Sequence, residues 1–91
     1  MDSQTKIDVT LRDVLRNVLA LGTDRAAELQ AYSPLFGALP ELDSMAVAGV
    51  LTEIEDRFRI VIDDDEVDGE IFETFGALAA FVSAKLDRLQ R

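Results

Sequence analysis

"LPELDSMAVAGVLTEIEDRF", residues 39–58, decides the fold. Val47, Val50, Leu51, Ile54 and Phe58 recur at i, i+3, i+4, i+7 and i+11, the spacing of one buried face of an α-helix. Its start is set by its neighbours. Asp43 and Ser44 are both favoured N-caps. A cap is reinforced when the residue before it and the fourth helical residue are both apolar. With Asp43 as the cap that pair is Leu42 and Val47; with Ser44 as the cap it is Asp43 and Ala48, which is no staple. The cap is therefore assigned to Asp43. Ser44 becomes the first residue of a helix running from about Ser44 to Phe58, with its hydroxyl free and exposed. Unpaired N–H groups and the helix dipole favour an anion at such an end. A phosphate ester on Ser44 would sit there well, so the position reads as a modification site.

The same periodicity appears twice more. Ile7, Leu11, Val14, Leu15 and Val18 share a face, which predicts a helix over about residues 7–20 with Gly22 as its C-cap. Phe75, Leu78, Ala79, Val82, Leu86 and Leu89 predict a last helix capped by Thr74, with Lys85, Arg88 and Arg91 near its C-terminus, where cations suit the dipole. From Thr23 to Asp43 no period is sustained, and Pro34, Gly37 and Pro40 punctuate the stretch. Leu29, Leu35, Phe36, Leu39 and Leu42 make it a long loop pinned to the core rather than a linker, with a short turn near Asp24–Tyr32. After Phe58, Ile60 and Ile62 flank a short extended piece. "DGEIF" (68–72) predicts one short helical turn capped by Asp68. Phe36, Phe58, Phe75 and Phe81 are expected to fill the core. The expected architecture is an all-α, four-helix bundle of three longer helices, a short third helix and a long loop between helices 1 and 2. One domain spans 1–91, with its helical core at about 7–89.

Composition excludes several function classes. There is no cysteine and no histidine. A disulfide framework is impossible, the usual zinc ligands are missing, and so is the commonest general base near neutral pH. Eighteen acidic residues against nine basic ones give a net charge of −9, which argues against nucleic acid and anionic membranes and favours basic protein partners. "MDSQTKIDVTL" carries no signal-peptide pattern and no run is long enough to span a membrane, so a cytoplasmic monomer is expected.

Two chemical readings fail on their own residues. "DDEVDGEIFETF" (64–75) puts Asp64, Glu66 and Asp68 at the first, third and fifth positions of a calcium loop and Gly69 at the sixth, but Phe75 stands where the bidentate glutamate belongs. No metal is expected. A nucleophilic Ser44 needs an adjacent base. Only Lys6 or Lys85 could serve, both read as solvated, and "LDSMA" is not a Gly-x-Ser-x-Gly elbow. Catalysis by this chain is not expected.

"ELDSM" (41–45) resembles the attachment motif of acyl and peptidyl carrier proteins, commonly Asp-Ser followed by Leu or Met. "SPLFGALPELDSM" resembles the loop these domains place before the serine. "LTEIEDRFRIVIDDDEV" resembles their second helix and acidic following loop, and "IFETFGALAAFV" their last two helices. The resemblance covers about Thr10 to Leu86 in order. It implies a non-catalytic acyl carrier protein, expected to be freestanding, although a module excised from a larger synthase would look similar. By that resemblance Ser44 takes 4′-phosphopantetheine from coenzyme A through a phosphopantetheinyl transferase, and Asp43 positions it and supports transferase recognition. The arm's thiol then carries acyl groups as thioesters to acyl-loading, acyltransferase, ketosynthase or condensation-type enzymes of fatty-acid-like, polyketide, nonribosomal-peptide or other specialised biosynthesis.

One departure stands out. On a wheel of about 100° per residue, Met45, Gly49, Thr52 and Asp56 lie opposite the buried stripe. Ala46 and Gly49 stand where fatty-acid-synthesis carriers tend to have acids, and Glu53, Glu55 and Asp56 keep charge only in the later turns. A specialised carrier is expected, read by partners through Met45, Ala48 and Gly49 by packing, with Glu55 and Asp56 adding charge steering and Thr52 on the same partner surface. The competing class is an unmodified acidic helical interaction domain.

Overall fold

A computed structural model of the chain describes residues 3–89. It contains α1 (Ser3–Val18), α2 (Thr23–Ala27), α3 (Ser44–Phe58) and α4 (Phe75–Leu89), with two 3₁₀ turns, Asp64–Glu66 and Gly69–Phe72, between α3 and α4. There is no strand among the described residues, only an isolated backbone bridge between Pro34 and Thr74. Helix α1 packs on α2, α3 and α4, and the second 3₁₀ turn packs on α4.

The core follows the apolar stripes. Leu11, Val14 and Leu15 of α1, Val50 and Ile54 of α3, and Leu78 and Val82 of α4 are fully enclosed. Truncating Leu11, Leu15, Ile54 or Leu78 to alanine costs about 2–5 kcal/mol, most where the cavity cannot collapse. The second 3₁₀ turn is capped by Asp68, whose carboxylate accepts from the Glu70 N–H at 2.9 Å. Helix α4 is capped by Thr74, whose Oγ1 accepts from the Ala77 N–H at 3.0 Å.

Several sequence expectations are corrected. Helix α1 begins at Ser3 rather than near Ile7 and ends at Val18. Gly22 does not end it. Ala20 takes the left-handed position (φ 55°), and Leu21 N–H donates to Arg16 O at 3.0 Å to close the helix end. A side chain there costs about 1 kcal/mol. It is held by burial of Leu19 and Leu21 on either side. Gly22 instead precedes α2, a five-residue helix at the front of the expected turn near Asp24–Tyr32. Phe36 is 43% exposed, and Phe58 and Phe81 are only partly covered; the fully enclosed aromatic beside Phe75 is Phe72. Arg91 lies outside the described residues.

The long loop is fastened to the start of α4 by backbone. Leu35 N–H donates to Glu73 O (3.1 Å) and Phe36 N–H to Phe72 O (3.2 Å). In return Phe75 N–H donates to Ser33 O and Gly76 N–H to Ala31 O, both at 2.8 Å. Gly76 is required for the last of these: a Cβ there would lie 2.7 Å from Ala31 O. Arg12 of α1 completes the clamp. Its Nε and Nη2 donate to Leu29 O at 3.0 and 2.8 Å, and its guanidinium carbon sits 5.1 Å from the centre of the Phe75 ring.

The first 3₁₀ turn is tied to α4 by Lys85, whose Nζ donates to both Glu66 oxygens at 2.9 Å. Glu66 Oε2 also accepts from the Asp63 N–H at 2.9 Å. Lys85 is therefore not solvated as its sequence context suggested: its side chain is 17% exposed. The Lys85 hydrogen bonds, then the Asp63 N–H, hold the Glu66 carboxyl below its ordinary value of 4.5. A carboxyl whose pKa is lower folded than unfolded contributes stability above its unfolded pKa and loses it as pH falls through the folded one. Glu66→Gln is accordingly less stable than wild type at neutral pH, and the gap closes in acid. Urea denaturation at pH about 7 and about 3 checks this, and parallel stability–pH curves for the two proteins contradict it.

Candidate functional site

The site is the start of α3. Leu42 is buried and Val47 packs against the same core, so the chain enters the helix with its direction set from both sides of the cap. Asp43 is extended (φ −103°, ψ −175°). Its Oδ1 accepts from the Ala46 N–H at 2.8 Å, and its carbonyl accepts the first helical bond from Val47 at 2.9 Å. Capping leaves the N–H groups of Ser44 and Met45 without a protein acceptor among the described residues. Ser44 is exposed, and its hydroxyl has no hydrogen bond there. Met45 is 86% exposed beside it, the most exposed of the large apolar residues described.

The outward face of α3 is less uniform than the helical wheel implies. Ala48, Thr52 and Asp56 are exposed. Thr52 turns its hydroxyl back onto Ala48 O at 2.9 Å. Gly49 is half-buried rather than opposite the core, and a Cβ on it would meet Val18 Cγ1 of α1 at 3.2 Å. Glu55 is half-buried too, and its carboxylate accepts from the Ile62 N–H at 2.8 Å. That bond fixes the exit of α3, where Arg59 takes the left-handed conformation (φ 57°) and Ile60 N–H reaches back to Glu55 O at 3.1 Å. The carboxylate expected to steer partners is thus committed to a backbone N–H. The wheel misses this because it records only angle around one helix, not what α1 and the segment after α3 bring alongside.

Arg57 links α3 to α1, with Nε on Glu53 at 2.7 Å and Nη1 on Asp13 at 2.8 Å. Its hydrogen bonds, after those of Arg16, keep the Asp13 carboxyl below its ordinary value. Asp64, Glu66 and Asp68 do not converge on a common point: Glu66 holds Lys85, and Asp68 caps its 3₁₀ turn. A groove of about 330 Å³ is lined by Ile7, Phe58 and Leu86 at the far end of α3 from Ser44.

Comparison with solved structures identifies the fold. The chain superposes on the solution NMR structure of a holo acyl carrier protein from Nitrosomonas europaea with a TM-score of 0.82 and 47% sequence identity, over 89% of this chain and 95% of the other. No family model and no curated protein matches the chain. Identity at that level over that coverage places the chain in the acyl carrier protein family.

The cap gives a direct check on the site's geometry. Asp43→Ala removes the acceptor of the Ala46 N–H and lowers stability by about 1 kcal/mol, while Asp43→Asn keeps most of it. Chemical denaturation of the three proteins measures both values. Equal losses for alanine and asparagine would show that the side-chain acceptor is not what holds the helix start.

Proposed function

We propose that this protein is a cytoplasmic, non-catalytic acyl carrier whose Ser44 bears 4′-phosphopantetheine, attached from coenzyme A by a phosphopantetheinyl transferase. The observation that carries this reading is an exposed, unpartnered serine hydroxyl in the first turn of α3, on a member of the acyl carrier family. The residues present fit the group. Asp43 takes the Ala46 N–H, so the helix starts at Ser44, and two free N–H groups and the positive end of the dipole face a phosphodiester on the serine. When bound, the group supplies the thiol that holds acyl cargo as a thioester, a function the chain's own residues, which include no cysteine, do not provide.

The surface read by partner enzymes is, in this proposal, centred on Met45, Ala48, Thr52 and Asp56, with Gly49 and Glu55 at its edge. Met45 offers an apolar contact beside the attachment point, where charge is absent from the first turn of α3. Longer-range attraction to a basic partner comes from the segment after α3: Asp63, Asp64, Asp65, Glu66, Asp68, Glu70 and Glu73 fall within eleven residues that contain no cation. Partners are thus guided by one region and seated on another. Delivery serves fatty-acid-like, polyketide, nonribosomal-peptide or other specialised biosynthesis.

Incubation with coenzyme A and a broad-specificity transferase is expected to add one phosphopantetheine by intact mass to the wild-type chain and none to Ser44→Ala. No addition with several transferases would favour an unmodified acidic interaction domain instead. For the partner surface, Met45→Asp and Ala48→Glu are the informative substitutions, since both residues are exposed. Gly49→Glu would also crowd Val18 and so confound folding with docking. Each exposed substitution is expected to lower partner turnover about five- to tenfold, the effect of about 1 kcal/mol at an interface, with the denaturation midpoint retained. Unchanged turnover with every cognate enzyme contradicts the assignment.

A further inference from the structure

The last stretch before Ser44 is held differently from the rest of its loop. Residues 31–36 exchange four backbone hydrogen bonds with residues 72–76. From Gly37, which turns the chain with φ 83°, to Asp43, the backbone bonds are all local: Leu39 N–H to Leu35 O, Leu42 N–H to Leu39 O, Asp43 N–H to Glu41 O. Leu39 and Leu42 anchor the underside. Apart from the Asp43 cap on α3, into which the chain runs directly, one side-chain link joins this stretch to a helix among the described residues. Arg25 of α2 grips Glu41 with two parallel bonds, Nη1 to Oε2 at 2.6 Å and Nη2 to Oε1 at 3.1 Å. Glu41 stands three residues ahead of Ser44.

We propose that Arg25 and Glu41 are a positioning pair that holds the approach to Ser44 in the conformation its phosphopantetheinyl transferase accepts. The proposal rests on the carrier reading above. An ion pair whose side chains are 48% and 32% exposed does little for global stability. Its geometry gives it a different use. A guanidinium–carboxylate fork fixes direction as well as distance, because both planar groups must align. It holds α2, itself joined to α1, against a segment whose backbone bonds reach no further than Leu35 and Val47 at its two ends. Without the fork, residues 37–43 populate several conformers, only some of which present Ser44 correctly. Apparent affinity then falls by the fraction that is competent, while the chemistry of the bound complex is unaltered. The expected signature is a rise in KM without a fall in kcat. Arg25→Lys gives only partial function, because an ammonium cannot make the two parallel bonds.

The test uses the full chain with transferase and coenzyme A. Arg25→Gln and Glu41→Gln are each expected to raise the KM for the carrier about three- to tenfold, leaving kcat near wild type. In both variants amide hydrogen exchange at residues 37–43 speeds up, while the interiors of α1 and α4 keep their protection. The charge swap Arg25→Glu with Glu41→Arg restores most of the KM and the protection. Single variants with wild-type KM, or with unchanged exchange at 37–43, overturn the proposal. So does a swap no better than the single variants, which would assign the two side chains to direct contact with the transferase. A wild-type chain that accepts no prosthetic group overturns the carrier reading itself. That outcome is distinct from modification that proceeds but is indifferent to Arg25.

Discussion

The exchange of backbone hydrogen bonds between residues 31–36 and 72–76 is the constraint on which the rest of this structure depends. More than twenty residues separate α1 from α3, with only the five-residue α2 between them. A loop of that length in so small a domain must bring its polar backbone against the core without leaving it unpaired. The solution is reciprocal. The loop gives two N–H groups to carbonyls at the end of the second 3₁₀ turn, and its own carbonyls accept the N–H groups of Phe75 and Gly76 at the start of α4. Two sets of groups that helices and loops ordinarily leave for water satisfy each other. The glycine at 76 is what permits the approach of its N–H to the Ala31 carbonyl.

With that seam in place, the remaining side chains have defined tasks. Leu35 and Phe72 are enclosed on either side of it, and the Phe36 ring leans on Phe72 with centroids 5.5 Å apart. Arg12 reaches from α1 to the Leu29 carbonyl and covers the face of Phe75, so one cation ties the first helix to both partners of the seam. The segment from Gly37 to Asp43 hangs between this fixed point and the start of α3. Leu39 and Leu42 set its depth, and Arg25 on Glu41 its direction. The pose of the exposed Ser44 thus depends on interactions spread over α1, α2, the 3₁₀ turn and α4, none of which touches the serine itself.

This explains which parts are legible in the sequence. The bounds of α3 can be read because periodicity, a cap and an apolar pair on either side of it agree: Leu42, Asp43 and Val47 specify one start between them. Thr74 and Asp68 can be read for the same local reason. Features that depend on meeting another element cannot. Arg12 shows no sign in its own segment that it will donate to a carbonyl seventeen residues away. The Gly49 position looks exposed on a wheel, because Val18 belongs to a different helix. Glu55 reads as one more surface acid until the chain turns back at Arg59 and presents the Ile62 N–H. Phe72 gives no signal, because a four-residue turn has no period from which to infer a buried side. Gly22 misleads in the opposite direction. Glycine is the usual marker of a helix end, yet Ala20 takes the left-handed position, since burying Leu19 and Leu21 outweighs a cost of about 1 kcal/mol.

The charge distribution separates two functions that a single net value conceals. Seven carboxylates without a cation lie within residues 63–73, so most of the −9 comes from the connection between α3 and α4, and the remaining chain is close to balanced. Within the connection, Glu66 is neutralised by Lys85, with Arg88 Nη1 3.8 Å from its Oε1, which anchors the segment to α4. Asp68 is used as a cap. Asp64, Asp65, Glu70 and Glu73 are exposed and generate the field. The start of α3 behaves in the opposite way: it has no acid in its first turn, and the positive end of its dipole is uncompensated beyond Asp43. An acid at position 45 or 48 would add attraction to a basic partner but would also place negative charge beside a phosphodiester on Ser44. Keeping charge in the connection avoids that repulsion while retaining attraction to a partner within a Debye length, about 8 Å at physiological salt. In the proposed function, the apolar Met45 and Ala48 leave the helix start free of negative charge beside a phosphodiester on Ser44, while the acids that steer partners are supplied by the connection.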